Sequence, residues 1–239
     1  NHNEALSKLK KLLKLNETPN RIEVYDNSHT FGKESVGVMI VVDSHGLSPK
    51  NYRKYNIRYD YSKVKPSSID DYYMMKEVLN RRLKIKDKKE FIIPNIIIID
   101  GGRGQYNAVK KILDLKNLNK ICLISVSKGK KRNAGREIIH LNNKNINLPP
   151  NDPLLFFIQR VRDEAHRFAI TAHRSRRNKE GLKSVFNELP GVGPKRKKIL
   201  MSHFGTVEKI RNASKKELNS VSGLSEAIIN KVYDFFHSH

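Results

Sequence analysis

The chain has 239 residues, 38% of them hydrophobic, and carries 47 Lys and Arg against 24 Asp and Glu, a formal net charge of +23. That length and apolar content suit one medium domain plus a small one, and a positive excess of this size attracts polyanions, nucleic acid first among them. A polybasic membrane-surface protein would need an amphipathic or lipidated anchor, which the sequence lacks, and a single cysteine excludes a disulfide framework or a cysteine-based zinc site within one chain.

Leu6, Leu9, Leu12 and Leu13 recur at helical spacing, so about the first fifteen residues predict a short amphipathic helix entering the main domain. The single cysteine predicts a reducing compartment, and a chain that begins with Asn rather than Met predicts a piece of something longer. Runs with strand character follow at 21–26, 35–43 and 52–59, separated by segments rich in Gly, Ser, His and Asn, as in an antiparallel meander. Ser68 is set to cap a helix over 70–83, with Asp70 and Asp71 in its first turn. After Pro94, the run 95–100 holds four consecutive isoleucines and ends on Asp100, the pattern of a buried parallel strand. The most apolar stretch, 91–99, is broken by Pro94 and Asn95 and falls well short of the roughly 20 residues that span a bilayer. Gly101-Gly102-Arg103-Gly104 opens a helix expected over 105–115, and a further strand follows at 121–126 with Cys122 as a core residue. A lysine-rich segment and two weaker strand-like stretches precede Pro149 and Pro150, which lead into a long helix over 152–173.

Three antiparallel strands, helix, strand, helix, strand and a long final helix match an α/β class of ribonuclease H-like type, a mixed sheet flanked by helices. The expected organisation is a linker helix at 1–18, the ribonuclease H-like domain at 19–174, a basic linker at 175–187 and a small all-α tandem helix-hairpin-helix domain at 188–239. Arg174, Arg176 and Arg177 sit at or in that linker and are expected to contact phosphate.

In such a sheet the strands ending on Asp26 and Asp100 are neighbours, so their carboxylates converge at one edge and supply the hard oxygen ligands that magnesium or manganese requires. Asp71, at the start of the intervening helix, is either a further ligand or an electrostatic neighbour. On the long helix Ile158, Val161, Ala165, Phe168 and Ala172 form an apolar stripe, and His166 stands about 100 degrees from Ala165, at the stripe's border. An imidazole there can face a cleft, with a pKa suited to proton transfer in phosphodiester hydrolysis. The glycine loop after Asp100 fits neither the dinucleotide fingerprint nor the Walker pattern; a backbone phosphate held by its amides, with Arg103 beside it, accounts for it.

Leu189-Pro190-Gly191-Val192-Gly193-Pro194-Lys195-Arg196 lies between helical stretches. Gly191 and Gly193 permit a tight turn that aims backbone N–H groups at one phosphate, flanked by Lys195 and Arg196: the helix-hairpin-helix signature. Val221-Ser222-Gly223-Leu224-Ser225 reads as a second, weaker copy, with Ser225 where a second glycine would stand. Paired hairpins would grip both strands of a duplex without reading bases.

Tyr25-Asp26-Asn27-Ser28-His29, Asp70-Asp71-Tyr72, Ile99-Asp100-Gly101-Gly102-Arg103-Gly104-Gln105, Arg162-Asp163-Glu164-Ala165-His166-Arg167-Phe168-Ala169 and Pro190-Gly191-Val192-Gly193-Pro194-Lys195-Arg196 occur in this order. Together, from about residue 20 to the end, they resemble the C-terminal half of UvrC. The resemblance implies a nuclease that makes the incision 5′ to a DNA lesion in nucleotide excision repair in the bacterial cytoplasm. It implies Asp26, Asp71 and Asp100 as catalytic aspartates, His166 as the catalytic histidine, and Mg2+ or Mn2+ as cofactor. The implied partners are double-stranded DNA with damage or single/double-strand junctions, UvrB mainly through regions outside this chain, and UvrA indirectly, with no membrane. Asn27 stands where an aliphatic residue is usual and Arg103 where a lysine is usual, which keeps the loop's charge but not a lysine-specific role. The competing reading is a non-catalytic, sequence-independent DNA-binding module.

Overall fold

The computed structural model describes residues 2–29, 35–57, 71–84, 91–129 and 137–237; the side chains of Ser28, His29, Asp71, residues 173–177 and Lys179 also lie outside that description. The chain divides into two compact units, Asn1–Ala172 and His173–His239.

Unit 1 opens with α1 (His2–Leu13), whose Ala5, Leu6 and Leu9 are buried. Strands β1 (Arg21–His29), β2 (Ser35–Asp43), β3 (Gly46–Leu47) and β4 (Arg53–Ile57) follow, with a 3-10 turn at Pro49–Asn51. Then come α2 (Asp71–Leu83), β5 (Ile96–Asp100), α3 (Arg103–Leu115), β6 (Cys122–Lys128), β7 (Glu137–Leu141), β8 (Lys144–Asn147) and α4 (Pro153–Asn187). The sheet runs β3-β2-β1-β5-β6-β7-β8, with β4 also on β2. β1, β5 and β6 are parallel to their neighbours among these three, and the flanking pairs are antiparallel.

Alternation along the strands feeds two cores. Ile22, Val24, Ile40, Ile96, Ile98, Ile124 and Val126 pack with α1 and with Ile158, Val161 and Ala165 of α4. Tyr25, Met39, Val41, Ile97, Ile99 and Leu123 pack with α2 and α3 on the opposite side. The four isoleucines of β5 therefore split two and two, as a strand covered on both faces demands.

Several boundaries differ from the sequence expectation. Asp26 does not end its strand: β1 continues to His29 because the antiparallel ladder with β2 runs through His29↔Ser35, while the parallel ladder with β5 stops at Tyr25↔Ile99. Helix α3 starts at Arg103, two residues earlier than expected, with Gly102 as its N-cap. Strand β6 extends two residues beyond Val126 because Lys128 pairs with Glu137 of β7. Ser68 and Asp70 lie outside the described residues. Cys122 is only partly buried at the edge of the first core.

The stretch 175–187, expected as a linker, is helical throughout as the end of α4. Leu182 and Phe186, one turn apart, pack into the core of unit 2, which rewards continuing the helix despite Gly181. Unit 2 adds α5 (Pro194–Phe204), α6 (Val207–Asn212), α7 (Lys215–Asn219) and α8 (Glu226–His237) around Leu189, Val192, Leu200, Ile210, Leu218, Ile229 and Val232. Thr206 caps α6, and Ser214 with Glu217 forms a capping box on α7. Among the described residues no helix is long and apolar enough to cross a membrane.

Candidate active site

Asp26 and Asp100 each follow the last residue pair of the β1–β5 register, so they stand side by side, on the face covered by α4. Asp26 is buried, at 6% exposure. Burial first, and then the charge of Asp100, push its carboxyl up from 3.8 to about 6; the charge and hydrogen bond of His166 pull the other way. His166 Nδ1 approaches Asp26 Oδ2 at 3.3 Å, and its side chain is 63% exposed, so one ring nitrogen is engaged while the ring stays open to solvent. On α4, Ala165 and Ala169 are buried against the sheet and His166 reaches around to Asp26.

A cleft of about 300 Å3 opens here, lined by Asp26, Asp100, Gln105, Ser127, Lys128 and Arg162. Asp71 is the first residue of α2 and its side chain lies outside the description. That end of α2 is nevertheless fixed against the glycine loop, because a Cβ on Gly104 would fall 2.2 Å from the Tyr72 hydroxyl. Among the described residues no group of three or more His, Cys, Asp or Glu is gathered to hold a metal. The Asp26 and Asp100 pair still suits a divalent cation: both ligands are hard oxygens, and Asp26 carries an electrostatic load that a cation relieves.

Arg103 has its guanidinium engaged by the β7–β8 turn. It donates to the Asn142 carbonyl, to the Lys144 carbonyl at 2.7 Å and to Asn145 Oδ1 at 2.5 Å. Arg174, Arg176 and Arg177 lie on α4, with side chains outside the described residues.

In unit 2, Gly191 and Gly223 both adopt left-handed backbone, φ +71° and +86°, which glycine tolerates and other residues resist. Gly193 caps α5, and Lys195 and Arg196 are exposed in its first turn. Lys195, Lys198 and Ser222 share one groove of about 550 Å3, so both hairpins contribute to a single basic surface. The ammonium of Lys231 lies over Gly191, 2.8 Å from where a Cβ would stand.

The model of the UvrC RNAse H endonuclease domain matches residues 10–170, and that of a SAM-like helix-hairpin-helix tandem matches 184–237. The chain belongs to the UvrC family. Its sheet is the ribonuclease H-like mixed sheet that the element order implied, followed by the helical hairpin pair. UvrABC system protein C of Zymomonas mobilis is 46% identical over 98% of this chain, and that of Nitrobacter hamburgensis 45% identical over 98%. The chain spans 36% of the length of either relative. A crystal structure of Ciona intestinalis endonuclease V with inosine-containing DNA is 16% identical, with a TM-score of 0.35 over 53% of this chain and 57% of that one.

Within this UvrC chain the sequence reading missed Arg162, Lys128, Glu137 and Lys231. Arg162 is one turn before His166 on the same helix face, so its spacing alone was a usable signal. Lys128 escaped notice because β6 was ended two residues early. Arg162 donates to Asp100 Oδ1 through Nε at 3.2 Å and Nη2 at 2.7 Å, and its Nη1 lies 3.8 Å from Glu137 Oε1.

Proposed function

We propose that this chain is a divalent-metal-dependent DNA endonuclease that hydrolyses a phosphodiester 5′ to a lesion in nucleotide excision repair. The observation that carries the reading is the meeting of Asp26 and Asp100 at one cleft, with His166 of a helix distant in sequence 3.3 Å from Asp26. The assignment to repair, and to the 5′ side, rests on the UvrC relationship and the resemblance to the C-terminal half of that protein. Asp26 and Asp100 would hold Mg2+ or Mn2+, with water and phosphate supplying the other ligands as such ions prefer. When bound, the ion polarises the phosphate and lowers the pKa of water.

The chain's own groups do the rest. In the tautomer that donates from Nδ1 to Asp26, the His166 Nε2 is a proton acceptor facing solvent, suited to receive the proton of the attacking water. Lys128 brings positive charge to the phosphate side of the cleft. Asp71 is assigned a supporting acidic role at the head of α2. The products expected are a 3′-hydroxyl and a 5′-phosphate.

The hairpin unit would hold the duplex through Gly191, Gly193 and Gly223 backbone amides and through Lys195 and Arg196, with Arg174, Arg176 and Arg177 as further phosphate contacts; Arg103, whose guanidinium is taken up by the β7–β8 turn, would add its charge rather than a direct contact. The proposed partners are damaged or junction-containing DNA, UvrB and, indirectly, UvrA, in the bacterial cytoplasm. The test is a nicking assay on damaged or bubble DNA with the N-terminal part of the protein and UvrB supplied. Asp26→Asn and His166→Ala should lose most Mg2+-dependent cutting yet bind DNA normally. A wild type that binds but never cuts would leave the non-catalytic module as the function.

A further inference from the structure

Arg162 lies against the acidic pair, 2.7 Å from Asp100, and its geometry is unusual for a salt bridge. Its side chain is 8% exposed, and a buried guanidinium is retained only where its donors are met. A symmetrical arginine and carboxylate pair uses both oxygens, fork to fork. Here Nε and Nη2 converge on the single oxygen Oδ1 of Asp100, and Oδ2 has no hydrogen-bond partner among the described residues. The far edge of the guanidinium faces Glu137 Oε1 at 3.8 Å, and Glu137 Oε2 accepts from Gln159 Nε2 at 3.0 Å. Gln159 is one helical turn before Arg162, so β5, β7 and α4 all converge on this one guanidinium.

We propose that Arg162 is a positioning residue of the nuclease site, clamping Asp100 by Oδ1 so that only Oδ2 is offered to a divalent ion, while Glu137 holds the clamp from behind. The inference rests on the nuclease reading above. Two opposed effects follow. The guanidinium's charge weakens cation binding at the adjacent carboxylates, because like charges share a poorly solvated cleft. Its fork fixes the orientation of Asp100, which is what productive chemistry requires of a ligand. A purely structural ion pair between α4 and the sheet would produce neither signature.

The test measures Mn2+ affinity by calorimetric titration, and cutting by single-turnover kinetics, with the full protein and its partners in the second assay. Arg162→Gln should bind Mn2+ about tenfold more tightly than wild type, because a repelling charge is gone, yet cut about 10 to 100-fold more slowly, because the ligand is no longer oriented. Arg162→Lys keeps the charge but not the fork; it should hold Mn2+ as wild type does and still lose about tenfold in rate, with KM for DNA unchanged. Mn2+ binding by Arg162→Gln that is unchanged or weaker overturns the inference, as does wild-type cutting by Arg162→Lys. If Arg162→Gln does not fold, the lysine variant decides by itself. Asp26→Asn separates the two levels: wild-type Mn2+ binding that this variant leaves intact sinks the carboxylate site and the clamp with it, whereas a lost site with unaltered Arg162 variants sinks the clamp only.

Discussion

His166 Nδ1 and Asp26 Oδ2 are 3.3 Å apart although 140 residues separate them along the chain. The pair joins a solvent-exposed imidazole to a buried carboxyl that is raised to about 6. His166→Ala should slow cutting by about two to four orders of magnitude, the usual loss for a general acid or base. Duplex binding should be unchanged, and filter binding beside single-turnover cleavage separates the two. A variant that cuts at the wild-type rate would remove this histidine from the chemistry.

The carboxyl of Asp26, raised from 3.8 to about 6 by burial and by Asp100, makes stability depend on pH in a defined direction. Between these values the folded chain keeps a proton that the unfolded chain has released, so stability of the metal-free protein falls as pH rises through the window and is level above it. Asp26→Asn removes the buried charge and should stabilise the metal-free protein by about 2 kcal/mol at pH 7.5. Urea denaturation in EDTA at pH 4.5 and 7.5 measures this; a variant no more stable at the higher pH would contradict it.

Glu23 is fully buried and is held by Arg21 at 2.9 Å, Arg82 at 2.7 Å and the Tyr25 hydroxyl at 2.7 Å. This network ties the end of α2 to β1, and Arg82 also lies over the Phe91 ring at 4.3 Å. Glu23→Ala would strand a buried guanidinium, and the expected cost is about 3 to 5 kcal/mol in chemical denaturation. A loss below about 1 kcal/mol would mean that water reaches Arg82 freely.

Gly37 of β2 lies against α2: a Cβ there would stand 2.2 Å from Val78 Cγ2. Gly37→Ala should therefore destabilise by about 1 to 3 kcal/mol through overpacking. Adding Val78→Ala should return part of that loss, and a double-mutant cycle reads the coupling. Additive losses would show that the helix simply moves away.

At the hairpins, Lys195→Ala should weaken duplex binding and reduce the slope of log affinity against log salt by about one phosphate contact. Gly223→Ala should cost about 1 kcal/mol or more in folding, because φ +86° is strained for any residue with a Cβ. Fluorescence titrations from low to high salt test the first, and thermal melts the second.

Periodicity and composition by themselves determined the order of the main elements of unit 1, the two-sided burial of β5 and the positions of both hairpins, since hydrophobic alternation, glycine turns and charge are local properties of the chain. Asp100 and His166 could be singled out because each sits at a predictable end or border of its element, and Asp26 because its strand was expected beside the one that Asp100 ends. Where strands stop was not legible: β1 runs on past Asp26, and β6 past Val126, because a ladder lasts as long as its partner does, and the partner is distant in sequence. The helical character of 175–187 was hidden for the same reason, since Leu182 and Phe186 earn their burial from residues further along. Above all, only the tertiary structure decided what surrounds the carboxylates. Arg162 on Asp100, Glu137 behind it and Lys128 at the cleft are charges brought together by packing; helical spacing hints at Arg162 alone, and which carboxylate it meets leaves no period in a sequence.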